Sequence, residues 1–423
     1  MPTNTASARR SATLLLSEGS SLTARQTISA LGPLGYTLDL CDTNPWCMGR
    51  FSRFVRRVYR CPAMGADPEG YLAFIQGRIA GGNYDALLPV HEQAFLFARV
   101  QQSLGRQAGL ALPPFASLTR LQSKAAFART LLELGLPQPR AWFVHTESEL
   151  AKISDFPCYL KAPYSTAGNG VWRVRSAADL PGVIATLGER GLLDGQTELV
   201  AAAAASGDLS QAQAVFERGR LIAVHCTSQR AEGVGGSQSA RLGVDHPAVR
   251  EHLATLGRAL DWHGALVLDY LYDRAEAQPY YIEANPRIVE PMNAVLSGVN
   301  LADILAQLSL GRSFAAEPLR VGRFGVRSHS LAATLLGQAD AGASRRDLLR
   351  LIGQAATRRG VFADSAEDLT PARLDPPSLI ALGVVSAAVL LDPANARRLA
   401  GRSVADYALS PRAVERILAL DDV

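Results

Sequence analysis

The segment 265–291 constrains the fold more than any other. Two strand-like runs, 265–271 and 279–284, flank the polar turn YDRAEAQ (272–278), which reads as an antiparallel hairpin. Glu283 and Asn285 stand two apart on the second run, so both side chains leave one face of a strand. Pro286 stops that strand, and Arg287 is presented just beyond it. Asp269, on the first run, faces the same side if the strands pair. Carboxylates and an amide oxygen on one face suit a hard cation such as Mg²⁺. A single strand carboxylate is more often a solvated face. Three oxygen ligands and an arginine on one hairpin are a much rarer coincidence.

A second segment, YLKAPYSTAGNGVWRV (159–174), has a strand ending in Lys161, then a loop of small residues, then another strand. The loop is Ser165, Thr166, Ala167, Gly168, Asn169 and Gly170. Small residues let backbone N–H groups approach an anion closely. The spacing is not that of a P-loop, and a plain hairpin with a glycine turn is the competing reading. Lysine usage adds weight. Of 43 basic residues only Lys124, Lys152 and Lys161 are lysine. Arginine dominates the chain, so a retained lysine marks a place where a compact point charge suits better than a planar fork.

Along the chain, 12–16 and 36–40 read as strands around a helix over 22–34, and Tyr84 to Val90 as a later strand. That alternation points to a parallel α/β unit over 11–115, with ALPPFAS (111–117) as its exit linker. One amphipathic helix is expected over 121–134. Strands follow at 141–145 and 158–162, then two around ERGR (217–220), and a helix over 247–261. The middle section is therefore α+β. Residues 312–333 could still be strand, 344–358 reads as an arginine-rich helix, and the last hundred residues carry no chemical signal.

Together these motifs resemble the ATP-grasp family. The family order is a lysine on an early helix, a strand lysine before a glycine-rich loop, a turn ending in a Gly-acidic pair, a strand acid and then E-x-N-x-R. Here it reads Lys124, Lys161 with 165–170, SGD (206–208), Asp269, and Glu283-Ala-Asn285-Pro-Arg287. The likeness covers about 117–311 and is finest to carboxylate–amine ligases and the carbamoyl-phosphate-synthase-like branch.

The resemblance implies a multidomain α/β and α+β architecture. A Rossmann-like pre-ATP-grasp domain (11–115) would precede a two-lobed ATP-grasp core (117–311), with a small lobe over about 141–205 and a large lobe over about 206–311. A C-terminal extension (312–423) would follow. It further implies that Lys124 and Lys161 hold the ATP phosphates under the 165–170 loop. Asp269, Glu283 and Asn285 would hold one or two Mg²⁺, with Mn²⁺ able to substitute. Arg287 and Lys161 would be catalytic, Arg287 contacting the transferred phosphoryl group. The implied activity phosphorylates a carboxylate and couples the acyl phosphate to an amine, in specialised or amino-acid metabolism. Other ATP-grasp chemistry (a carboxylase or carboxylate kinase) and a nucleotide-binding sensor or scaffold with an altered site stay open. One departure concerns the adenine wall. A polar pair usual before the Gly-acidic turn is replaced by Ala201 and Ala202, within the alanine run 201–205.

The acceptor side is read from SQRAEGVGGSQSARLG (228–243), where Arg230, Ser237 and Arg241 could meet a carboxylate, or the segment could be a surface loop. His91 and Glu92, in PVHEQAF (89–95), end a strand of the first unit, where ligands of α/β sheets sit. GRFSRFVRRVYR (49–60) has helical arginine spacing, better suited to a solvated face or subunit contact than to nucleic acid at a net charge of +4. Five dispersed cysteines argue for a reducing compartment and against a disulfide frame or zinc site. The longest uncharged apolar stretch, 378–391, is 14 residues, short of a membrane span and read as a core helix or strand. The expected setting is cytoplasmic, with small-molecule partners, no membrane, and room for a homodimer.

Overall fold

A computed structural model describes residues 12–165 and 170–421, so Thr166, Ala167, Gly168 and Asn169 of the expected phosphate loop lie outside the described residues. The chain is mixed α/β. It begins with a parallel four-stranded sheet, ordered β3-β2-β1-β4, from β1 (Thr13–Leu16), β2 (Thr37–Asp42), β3 (Val55–Arg60) and β4 (Ala86–Leu88). Leu14 and Leu16 enter one apolar cluster and Leu15 another. A central parallel strand is covered on both faces, so a continuous apolar run is what it needs. The loops after β1 and β4 meet at the point where strand order reverses. There Ser17 N–H donates to Leu88 O at 3.1 Å, and Val90 N–H donates to Ser17 Oγ at 3.0 Å.

A small antiparallel sheet, β5-β8-β6-β7, follows: β5 (Ala141–Val144), β6 (Cys158–Lys161), β7 (Val171–Val174) and β8 (Leu199–Ala203). Ala201, Ala202 and Ala203 of the alanine run thus belong to an interior strand, and Ala204 and Ala205 lie beyond it. Leu199 and Ala201 pack with Leu160 and Val144, while Val200, on the opposite face, packs on Ala125 and Ala128 of the helix Lys124–Glu133.

The large sheet has eight strands, β13-β12-β9-β10-β11-β15-β16, with β14 beside β10. Its long members are β9 (Asp208–Glu217), β10 (Arg220–Glu232), β11 (Gln238–Val244), β12 (Gly264–Asp273) and β13 (Gln278–Asn285). The short ones are β14 (Arg320–Val321), β15 (Arg327–His329) and β16 (Ala366–Glu367). Alternation gives this sheet two different faces. Ala212, Leu266, Leu268, Tyr270 and Tyr281 pack under the helix Pro247–Ala259 through Val249, Leu253 and Leu256. The opposite face carries the polar Gln211, Gln213, Asp269 and Glu283 beside the apolar Val215 and Ala265. Gly207, in the SGD turn, has φ 138°, and a Cβ there would lie 2.7 Å from the Tyr272 backbone. Only glycine lets β9 start this close to β12.

Several expectations are corrected. Residues 49–60 are not a helix: a short 3₁₀ turn, Met48–Phe51, leads into β3, whose Val55, Val58 and Tyr59 favour extended backbone and whose Arg56 forks onto Asp39 at 2.8 and 3.0 Å. The helix over 121–134 is two, Phe115–Gln122 and Lys124–Glu133, and the first begins inside the expected linker. Ser123 breaks them by capping the second, its Oγ accepting from Ala126 N–H. Within 312–333 only β14 and β15 are strand. Residues 228–243 are mostly β10 and β11, joined by the turn Val234–Gly236, rather than a loop. The stretch 378–391 is a helix, Leu379–Leu391, but Ile380, Val384 and Leu391 on it are exposed. Among the described residues no helix is long and apolar enough to cross a membrane.

The C-terminal segment is not a separate appendage. Leu409, Val414 and Ile417 enter the cluster that covers one face of the first sheet. Arg25 donates to Asp375 at 2.5 Å with both side chains fully buried. Gln26 donates to Asp368 at 3.2 Å.

Candidate active site

The polar face of the large sheet carries the site. Asp269 on β12 lies opposite Glu283 on β13 and Gln211 on β9, so the three share one row. The register slips after Asp269, because Tyr270 pairs with Tyr281 and Ile282 is the extra residue. Such a bulge turns a strand and re-aims its groups. The Ile282 carbonyl accepts a hydrogen bond from Lys161 Nζ at 2.8 Å.

Lys124 opens its helix, and Lys161 closes β6. Both ammonium groups reach across to β13. Lys124 Nζ lies 2.8 Å from Glu283 Oε1 and also donates to Ser165 O at 3.1 Å. Gln211 donates to Asp269 Oδ1 at 2.9 Å, and Asn285 Nδ2 donates to Asp269 Oδ2 at 3.0 Å. Arg287 donates to Asn285 Oδ1 at 3.2 Å and to Glu92 Oε1 at 3.3 Å. Arginine only donates, so the amide oxygen of Asn285 must face it.

These contacts set the charge states. Burial and the facing Glu283 push the Asp269 carboxyl up to about 6. Burial opposes the charge on Glu283 too, but Lys124, Lys161 and Arg287 outweigh it and hold that carboxyl below its usual range. Burial, reinforced by Lys124, brings Lys161 down to about 8 against Glu283 and Asp269. Two carboxylates in register fit a divalent cation, because a cation between them relieves the repulsion that raises Asp269, while Asn285 turns its Nδ2 to Asp269 and its oxygen to Arg287. Among the described residues no group of three or more His, Cys, Asp or Glu could hold a metal.

The other expected residues separate. His91 and Glu92 do reach this cluster: His91 Nδ1 lies 2.8 Å from Glu92 Oε2, and Glu92 holds Arg287. Arg241 is 1% exposed and paired with Glu290 at 2.6 Å and Asp368 at 3.5 Å, yet its Nε and Nη1 have no hydrogen-bond partner. Arg230 instead donates to Val361 O at 3.3 Å, and Ser237 is exposed in the β10–β11 turn. Gly170 closes the described end of the loop, its carbonyl accepting from Ala162 N–H at 2.8 Å. Ala202 shares a face with Tyr159 and with Val200, the partner of Lys161, whereas the Ala201 side chain points into the small-sheet core beside Leu160. His225 is buried and its Nε2 lies 2.7 Å from Asn293 Oδ1.

Sequence reading missed Gln211, Gln213, Glu290 and Asp368. Gln211 and Gln213 alternate with Ala212 and Ala214 along β9, a period-two signal that was available. Glu290 and Asp368 gain meaning only through Arg241.

No family model matches the chain, and no curated protein matches it. Solved structures do. An L-amino acid ligase from Bacillus licheniformis aligns with a TM-score of 0.58 at 18% identity, over 76% of this chain and 80% of that one. An ADP complex of the N5-carboxyaminoimidazole synthetase from Staphylococcus aureus aligns with a TM-score of 0.60 at 14% identity, over 82% and 86%. The biotin carboxylase domain dimer of the Hydrogenobacter thermophilus 2-oxoglutarate carboxylase, holding MgADP and bicarbonate, aligns with a TM-score of 0.59 at 14% identity, over 74% and 73%.

Proposed function

This chain has the ATP-grasp fold, and from that premise we propose that it is an ATP- and Mg²⁺-dependent ligase joining a carboxylate to an amine. One observation carries the reading. Lys124, Lys161 and Arg287 converge from three elements on the Asp269–Glu283–Asn285 face of one hairpin. Cations packed against paired carboxylates suit a polyphosphate and its counter-ion, and phosphoryl transfer is mostly positioning and charge neutralisation.

In this reading Lys124 and Lys161 hold the phosphates, and Asp269, Glu283 and Asn285 hold Mg²⁺. Bound there, Mg²⁺ would neutralise charge developing on the phosphate oxygens. Arg287 contacts the transferred phosphoryl group, with Glu92 fixing its fork. The substrate carboxylate oxygen attacks the terminal phosphorus, ADP leaves, and an acyl phosphate forms. The amine nitrogen then attacks the acyl carbon, phosphate leaves, and the nitrogen loses a proton to give an amide. Arg241 is the group proposed to meet the acid substrate, because its buried Nε makes no hydrogen bond and its Nη1 meets Asp368 only at 3.5 Å. Backbone groups of β8 near Ala202 would flank the adenine. The segment boundaries given above (11–115, 117–311 and 312–423) are proposed as domains in the same sense.

The test is ADP release from Mg²⁺·ATP with amino acids, small carboxylic acids and bicarbonate, singly and in pairs. Ligation requires release that needs acid and amine together and disappears in Glu283→Ala. Release with bicarbonate would indicate a carboxylase, and release with one acid alone a carboxylate kinase. Nucleotide binding without release for any pair would leave a sensor or scaffold and end the ligase reading.

A further inference from the structure

The last turn of the helix Asn395–Tyr407 reaches the same cluster from the far end of the chain. The ring of Tyr407 stacks on the imidazole of His91, with centroids 4.0 Å apart and planes inclined by 21°. His91 in turn touches Glu92, Glu92 holds Arg287, and Arg287 holds Asn285. A continuous line of contacts therefore runs from the C-terminal segment to the polar hairpin.

That seat is built rather than incidental. Thr43, just past β2, donates to Asp406 Oδ2 at 2.6 Å, and Gly65 N–H donates to the Asp406 carbonyl at 2.9 Å. A Cβ at Gly65 would lie 2.7 Å from the Ala405 carbonyl oxygen, so the approach depends on glycine. Beyond the helix, Arg416 donates to Asp67 at 3.1 Å and to Ala66 O at 2.7 Å. Tyr407 is itself buried in the apolar cluster that contains Phe95 and Tyr71.

We propose that Tyr407 is a positioning residue for Arg287, acting through His91 and Glu92, so that residues 395–418 belong to the active centre. The stack fixes the imidazole plane and keeps water from it. Among the described residues the charged groups that face His91 are Arg287 and Glu92. Burial and Arg287 bring the imidazole down to about 4 against the pull of Glu92, so it is neutral at pH 7. Burial opposes ionisation of Glu92, but Arg287 and His91 prevail and bring it to about 2. An ionised carboxylate only accepts, so His91 Nδ1 carries the proton and donates. The ring orientation thereby fixes the carboxylate, and the carboxylate fixes the guanidinium fork. The kinetic consequence rests on the ligase reading, whereas the geometric one does not.

The experiment compares wild type with Tyr407→Ala, Tyr407→Phe, Glu92→Gln and the Tyr407→Ala/Glu92→Gln double variant, all in the full chain. The seven histidines can be followed by NMR titration, with His91 identified by its loss in His91→Gln. Opening the stack lets water reach the ring, so Tyr407→Ala is expected to raise the His91 pKa by about one unit or more, while Tyr407→Phe leaves it low. In ADP release, Tyr407→Ala is expected to lower kcat about tenfold with the KM for ATP within about twofold, and Tyr407→Phe to recover most of it. The double variant should be no slower than Glu92→Gln alone, because both act through one contact. An unmoved His91 titration in Tyr407→Ala, a change confined to KM, or losses that multiply would each overturn the proposal. If wild type forms no ADP with any pair, the ligase reading falls separately. The titration then decides alone: a shift with Ala and none with Phe supports the stack as the seat of His91, and no shift overturns it.

Discussion

The Lys124 ammonium lies 2.8 Å from the Glu283 carboxylate, so the helix Lys124–Glu133 is tied to the β12–β13 hairpin. Asp269 lies opposite Glu283 in the same row. Lys124 therefore occupies part of the negative field that a divalent cation would use. Lys124→Ala should move two ligands in opposite directions. Mn²⁺ binding without nucleotide, read by electron paramagnetic resonance, is expected to tighten about tenfold, and ATP binding, read by calorimetry, to weaken about tenfold, each near 1.4 kcal/mol for one charged contact. If both weaken together, Lys124 does not compete for Glu283.

Arg287 donates to Asn285 and Glu92 with one nitrogen and to Ile288 O with another. Lysine keeps the charge but cannot reproduce that fork. Arg287→Lys is expected to lower kcat for ADP release about 100-fold while changing the KM for ATP less than about threefold. A loss confined to KM would make Arg287 a ground-state contact.

Glu18, in the loop after β1, is raised to about 7 from an ordinary 4.5 by burial and by Asp42, against donors from Ser20 and Ser21. The folded carboxyl keeps its proton over a range where the unfolded chain has released it. Its contribution is therefore full below pH 4.5 and is lost as pH rises through 7, a change of about 3 kcal/mol. Glu18→Gln stays neutral throughout. Urea unfolding at pH 5 and pH 8 should show a smaller loss of stability for the variant than for wild type across that interval. Equal losses would place the ionisation elsewhere.

Ala201 is fully buried on β8, in register with Leu160 on one side and Trp142 on the other. A larger side chain there has no free volume. Ala201→Leu should destabilise the protein by about 1–3 kcal/mol in urea unfolding, with ATP affinity changed only as far as the small sheet shifts. Ala201 and Ala202 are thus a packing solution: small residues let an interior strand sit between β5 and β6 against the helix Lys124–Glu133.

The residues proposed to carry the chemistry are legible in the sequence, because their logic is local. Period-two spacing puts Glu283 and Asn285 on one face, Pro286 ends the strand, and scarce lysines stand out in an arginine-rich chain. The parallel start was legible for the same reason, since Leu14, Leu15 and Leu16 form the unbroken apolar run of a strand covered on both sides. Local logic also misled. Arginines at helical spacing over 49–60 lie on a strand, since pairing with β2 and the Arg56–Asp39 fork outweigh a weak helical pattern. An uncharged stretch over 378–391 forms a helix with one side exposed, since composition does not say which neighbours cover which face.

The sequence by itself determined the parallel start, the polar hairpin and the kinds of group proposed to meet a phosphate and a cation. Only the tertiary structure decided that Glu92 holds Arg287, that Arg241 is buried between Glu290 and Asp368, and that Tyr407 seats His91. Those contacts join residues far apart in the chain, and no spacing rule encodes them. They exist because burying the apolar faces of three sheets and their helices brings distant polar groups into one dry space, where each must find a partner or remain costly.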